Sequence, residues 1–270
     1  MKKQLLVSTF VLISFYSQNS TANFDLANIK QLFKESNAQM TPFTTPDNTG
    51  KVEQERLGDG WRYITHGDKK FKNVILYNHG HKGRKKHYAI FASDRDLYKK
   101  ANWYYENGVN FYATLRKQTT DLYGEYGRAV EGIEVFHHLT KEVKKLHGNN
   151  VNICYAGHSE GGGPVVYASM FLNGKGNVAI SPSSSEYSLF QLTDKEFYES
   201  PEYYNKSKNL TILMGERELE WDKFNKLIEK AQTLKHIKTK LFKNFHHQDM
   251  ARSANLDEIG PAVLEGCGFN

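Results

Sequence analysis

Short apolar runs alternate with amphipathic stretches along most of this chain. Val74-Ile75-Leu76-Tyr77 is apolar on both faces, the pattern of a strand buried inside a parallel sheet. Val109 to Leu115, Val151 to Ala156, Asn177 to Ile180, Leu210 to Met214 and Ile237 to Phe242 read the same way. Helical periods fill the intervals. Asp94 to Asn107 predicts a helix stopped by Gly108. From about Tyr126 to His147 an apolar stripe recurs at spacings of three and four: Val130, Ile133, Phe136, Leu139, Val143, Leu146. Gly162 to Phe171 reads as a helix, Glu220 to Leu234 is amphipathic, and a closing helix runs from about Asp257 to Leu264.

Upstream, residues 51–56 and 61–65 alternate polar and apolar positions around Gly58-Asp59-Gly60, a hairpin signature. A short helix-like piece, Leu26 to Ser36, leads into a Thr/Pro/Asn-rich stretch ending at Gly50. Residues 181–208 lack a long period and hold several aromatic residues, which predicts a small lid-like insertion or pocket wall. Strand–helix alternation of this kind predicts an α/β fold: a mostly parallel central sheet with helices on both faces.

The first residues stand apart from this pattern. Met1-Lys2-Lys3, an apolar stretch from Leu5 to Tyr16, and the small residues Ser20-Thr21-Ala22 predict a signal peptide cleaved after Ala22. The apolar stretch is short of the roughly 20 residues that span a bilayer, so no stable membrane anchor is expected. The domain then comprises residues 23–270, with export to the bacterial periplasm or beyond the cell. Of 36 Lys+Arg the signal holds two, leaving 34 against 30 acids, a formal +4. So small an excess does not point to nucleic acid. One basic cluster, residues 79–87, reads first as a solvated loop and second as a site of attraction for anions. Cys154 and Cys267 are the two cysteines. Cys154 falls inside a predicted central strand, where a small buried thiol packs well, so the expectation is two unpaired thiols. Neither cysteine nor any histidine-rich stretch has zinc-ligand spacing, and no metal or cofactor is expected.

Gly157-His158-Ser159-Glu160-Gly161 lies between a predicted strand and a predicted helix. That is the context required of a Gly-x-Ser-x-Gly nucleophile elbow, where a serine hydroxyl is thrust out at a tight, strained turn. The element order and the elbow after the third parallel strand resemble the α/β-hydrolase superfamily over roughly residues 50–265. Within that superfamily the chain resembles serine esterases, dienelactone-hydrolase-like enzymes or peptidase-like hydrolases. The resemblance implies an order of serine, acid, histidine along the chain. After the last strand, Phe245-His246-His247-Gln248-Asp249 resembles a small-residue–His–x–Asp pattern, which implies His247 as base with His246 as the alternate. Gly215-Glu216-Arg217-Glu218 resembles Gly-x-x-Asp, which implies Glu218 as acid, with Glu216 as alternate and Glu186 as a minority candidate. Asp222 reads instead as a charge in the first turn of its helix.

An oxyanion hole formed by backbone N–H groups is implied at Glu160 and in the loop Asn78-His79-Gly80-His81. His81 is assigned there, with Gly80 and His79 close behind. The expectation is thus an exported serine hydrolase, a carboxylic ester hydrolase acting on a small-molecule ester. Peptidase and thioesterase chemistry use the same three groups. A hydrolase-fold binding protein without a working triad is the non-enzymatic alternative, motivated by glutamate in the aspartate position and by the doubled histidine. The residues leave oligomeric state open.

Overall fold

Each apolar run becomes a strand of a single sheet. The strands are β1 (Glu53–Arg56), β2 (Arg62–His66), β3 (Asn73–Asn78), β4 (Asn110–Leu115), β5 (Asn152–His158), β6 (Gly176–Ile180), β7 (Leu210–Gly215) and β8 (Lys238–Phe242). The helices between and after them are α1 (Asp94–Glu106), α2 (Gly124–His147), α3 (Gly162–Phe171), α4 (Asp222–Thr233) and α5 (Leu256–Cys267). The structure is a computed structural model describing residues 53–56, 62–66, 68, 70–80, 94–115, 124–182, 207–220 and 222–269, all within the unit Met40–Asn270.

Among the described residues the strand order is β1-β2-β4-β3-β5-β6-β7-β8. The hairpin read at residues 51–65 is present, with Glu53 opposite Thr65, and β2 runs antiparallel to β4. The six strands from β3 to β8 are all parallel. Their register decides where chemistry can occur. Asn78 lies level with Gly157, His158 with Ile180, and Gly215 with Phe242, so the residues that follow each strand meet along one carboxyl edge. Parallel strands with crossover helices place their variable loops on that edge.

Alternation within the strands divides the core between two faces. Ile75, Tyr77, Phe111, Ala113, Cys154 and Ala156 join one buried cluster with Leu97, Ala101 and Tyr104 of α1 and Ile259, Ala262 and Val263 of α5. Tyr155 and Tyr112 point the other way. Tyr155 meets Phe136 of α2 edge-on at 5.0 Å, and the Tyr112 hydroxyl lies 2.7 Å from His147 Nε2. α2 and α3 pack together on this second face. The stripe of α2 accounts for its position: Phe136, Leu139 and Val143 are wholly buried.

The chain departs from the sequence reading in two places. The closing helix does not stop near Leu264 but continues to Cys267, where Gly268 caps it at φ 67°. That extension overturns the expectation of unpaired thiols: Cys154 and Cys267 form a disulfide across 113 residues. The reason is topological. Cys154 faces the side of β5 that α5 covers, and the added turn of α5 carries Cys267 to it. The predicted signal peptide, residues 183–206 of the lid-like segment, Glu186, and the basic cluster from His81 onward lie outside the described residues.

A crosslink closing so long a loop restricts the unfolded chain strongly. Replacing both cysteines by alanine is expected to lower unfolding free energy by about 2–5 kcal/mol. Urea denaturation of the oxidised protein measures this, and alkylation without reductant should add no mass to the wild type.

Candidate active site

Ser159 follows β5 directly and opens a single 3-10 turn, Ser159–Gly161, which runs into α3. Pro164 is tolerated there because the first turn of a helix has no carbonyl for its missing N–H. Ser159 has φ 54°, a left-handed conformation that a non-glycine residue adopts only when its surroundings enforce it. The two glycines of the motif show the enforcement. A Cβ at Gly157 would stand 2.1 Å from the Gly161 carbonyl oxygen, and one at Gly161 would stand 2.3 Å from that of Asn78. No side chain fits at either position, so strand, turn and the end of β3 close on one another through bare backbone.

The turn points Ser159 at His247. Ser159 Oγ lies 2.9 Å from His247 Nε2, and His247 Nδ1 donates to Glu218 Oε2 at 2.7 Å. Glu218, in the 3-10 turn after β7, is 2% exposed. Its second oxygen is also occupied: Oε1 accepts from the Gly215 N–H at 2.9 Å and from the Ser181 hydroxyl. A carboxylate held at both oxygens cannot swing away from the imidazole. The bond from Nδ1–H to the carboxylate leaves Nε2 as an acceptor for the serine proton. Beneath Ser159, the N-terminal turns of α3 favour negative charge.

Neither a protein-family model nor a curated protein sequence matches the chain. Solved structures do match. A dienelactone hydrolase from Anabaena variabilis aligns with TM-score 0.54 at 14% identity, covering 81% of this chain and 95% of that one. An α/β serine hydrolase without lid from Xanthomonas campestris gives 0.55 at 11% identity, covering 84% and 96%. Esterase 2 of Thermogutta terrifontis gives 0.56 at 12% identity, covering 82% and 93%, and that esterase has also been seen phosphonylated by sarin. This chain has the α/β-hydrolase fold.

Within that fold the alternates named from sequence have other places. His246 is exposed; its Nε2 accepts from Arg217 at 2.9 Å, and its backbone N–H donates to Asp249 at 3.0 Å. Glu216 is exposed, two residues before the buried Glu218. Asp222 begins α4. Glu160 is buried as the second residue of the elbow turn, and Gly80 packs against Ser159, since an added Cβ there would lie 3.0 Å from Ser159 Cβ. His79 is buried and donates from Nδ1 to the Gly80 carbonyl at 2.6 Å. The loop after β3 therefore reaches Ser159; His81 lies outside the described residues. Among the described residues no group of three His, Cys, Asp or Glu could hold a metal ion, and no helix is long and apolar enough to cross a membrane.

Several supporting residues carry no signal in the sequence. Ser181, at φ 43°, bonds Glu218 because β6 ends level with the elbow. Phe224 of α4 stacks near His247, with centroids 5.8 Å apart. Lys100, a buried lysine on α1, donates to the carbonyl of Ala251 just beyond the histidine. His158 occupies a variable position of the elbow motif, which is why the motif says nothing of it. Its Nε2 donates to the backbone carbonyl of His247 at 3.0 Å.

Burial first, and then the neighbouring His247, push the titration of His158 well below the ordinary histidine value of 6.5. In the unfolded chain His158 takes up a proton as pH falls through about 6.5, whereas in the folded chain it stays neutral. The unfolded state then binds more protons, so stability is lost as pH falls below that value. His137 and His138, also lowered by burial, act in the same direction. His158→Phe is expected to shrink, without abolishing, the drop in unfolding free energy between pH 7 and pH 5, read from urea titrations at both.

Proposed function

We propose that this chain is an exported serine hydrolase that cleaves carboxylic esters through an acyl-enzyme on Ser159. The observation that carries the reading is the unbroken hydrogen-bonded chain from Glu218 through His247 to Ser159 Oγ. A serine hydroxyl is a weak nucleophile at neutral pH, and this arrangement supplies both a base and a group to orient that base.

In the proposed cycle Ser159 Oγ attacks the ester carbonyl carbon while His247 Nε2 takes the hydroxyl proton. Glu218 stabilises the imidazolium without itself becoming protonated. The tetrahedral oxyanion accepts hydrogen bonds from the Glu160 N–H and from a second N–H in the loop after β3, with His81 the residue implied. Collapse breaks the bond to the alcohol oxygen, which leaves with the proton from His247. Water, deprotonated by His247, then attacks the acyl-enzyme, and the acid departs as Ser159 regains its proton.

Two further features support parts of this reading. Buried disulfides persist in oxidising compartments, so the Cys154–Cys267 bond favours export, as does the basic and apolar start of the chain. The phosphonylated Thermogutta esterase is a structural neighbour that takes an organophosphorus group. The short length of the lid-like segment favours small soluble esters over long-chain lipids, and peptides or thioesters would engage the same three residues.

A fluorophosphonate probe followed by peptide mapping is expected to label Ser159 in the wild type and to leave His247→Ala unlabelled. Ser159→Ala should lower ester turnover by about 10³-fold or more, because the three groups act as a unit. Turnover within threefold of the wild type, or folded protein that the probe ignores, would leave a hydrolase-fold binding protein instead. A panel of p-nitrophenyl esters against peptide and thioester substrates then decides the class, with acetyl and butyryl esters expected to outpace palmitoyl.

A further inference from the structure

His158 lies immediately before Ser159 on β5, is buried, and reaches across 89 residues to the main chain of His247. A carbonyl oxygen only accepts, so the proton of the bond sits on His158 Nε2. The ring is closely confined: its centroid is 4.8 Å from that of His247, and Gly80 presses on the other nitrogen, since a Cβ there would lie 2.8 Å from Nδ1. We propose that His158 is a positioning residue, holding the base His247 by its backbone carbonyl while Ser159 engages the base by its side chain. This rests on the serine-hydrolase reading above and adds a residue to it.

The last residue of β5 and the first of the turn that follows it grip two different parts of His247. That closes a small ring of contacts: His158 to the His247 carbonyl, through the His247 side chain, to Ser159 Oγ, and back along β5. The consequence appears when the ring is opened. In the acyl-enzyme Ser159 Oγ is esterified and has no proton to offer Nε2, so the serine contact is lost. Glu218 then orients the imidazole ring, and His158 keeps the main chain beneath it at a fixed distance from β5. Displacing a catalytic group by about 1 Å costs on the order of 100-fold in rate. A tether that survives acylation therefore matters most for the second half of the cycle.

The bland alternative is that His158 only fills space beside the elbow. Three substitutions separate the two. His158→Gln keeps an N–H close to the position of Nε2, His158→Phe keeps the ring volume without a donor, and His158→Asn is polar but too short to reach. One portion of each protein would be titrated with a fluorophosphonate, and a second, unlabelled portion assayed with p-nitrophenyl acetate under steady-state and pre-steady-state conditions. The labelling endpoint reports the folded, competent fraction, and the rate constants report positioning.

The expected result is a fall in kcat of about 10- to 100-fold for Phe and Asn, larger in deacylation than in acylation, with KM within about threefold. The labelling endpoint should stay full for any variant that folds, and Gln should recover most of the rate. Phe and Asn turning over at the wild-type rate would overturn the proposal, as would Gln as slow as Phe. Should Phe fail to fold, the Gln–Asn pair still decides. A wild type that the probe does not label would remove the hydrolase reading, and this role with it. A labelled wild type with indifferent variants would remove only the role of His158.

Discussion

The carboxyl edge of this sheet is organised around keeping Ser159 in a backbone conformation that L-residues avoid. A non-glycine residue at φ 54° costs of order 1–3 kcal/mol and persists only where neighbours over-determine it. Here the neighbours are main-chain atoms. Gly157 and Gly161 admit each other and the Asn78 carbonyl at distances no Cβ would allow. β5 lies between β3 and β6, in register with both, so it has no freedom to relieve the strain by shifting. With the hydroxyl fixed, the other groups need only be delivered to it. β7 and β8 do that, because Gly215 and Phe242 end level with each other and the turns beyond them converge.

His247 arrives on irregular backbone, and irregular backbone near a buried site must satisfy its polar groups without a ladder. Asp249 accepts from the His246 N–H, while its own N–H closes back on the His246 carbonyl at 2.9 Å. The Asn255 side chain donates to the Asp249 carbonyl, Lys100 to that of Ala251, and His158 to that of His247. These partners come from β5, α1 and the segment leading into α5. The loop thus owes its shape to separate elements of the domain, and the imidazole inherits their rigidity. Precision of this kind is what the proposed general-base role of His247 requires, since proton transfer depends on hydrogen-bond distance before it depends on pKa.

What the sequence made legible follows from how far each signal reaches along the chain. The elbow could be read because strand, turn and helix are contiguous within about twenty residues and the turn chemistry is restrictive. Strand positions could be read because parallel strands are apolar on both faces. Glu218 and His247 needed the order that the superfamily resemblance implies; nothing local to either separates Glu218 from Glu216 or His247 from His246. Burial and contact separate them. Glu218 turns inward beside Gly215 while Glu216 faces solvent, and His246 bonds Arg217. The disulfide is hidden from the sequence for the same reason. Burial of Cys154 is readable, but its partner lies 113 residues away on a helix that continues past Leu264 to Cys267. Ser181 and His158 act through bonds across the fold, which no window of sequence contains.

Glutamate stands at 218, where the resemblance implies aspartate. Its surroundings give the longer side chain a definite geometry. A carboxylate on an extra methylene has an additional torsion to order, and leaving it loose would blur the imidazole orientation. Glu218 is instead secured at Oε1 by the Gly215 N–H and the Ser181 hydroxyl, with Oε2 left for His247. The Gly215 N–H belongs to the last residue of β7, so Glu218 is referred to the sheet itself rather than to the turn that carries it. Ser181 follows β6, the strand between the elbow strand and β7. The extra length of glutamate is therefore absorbed by two donors fixed to neighbouring strands, and the third contact is the one to His247.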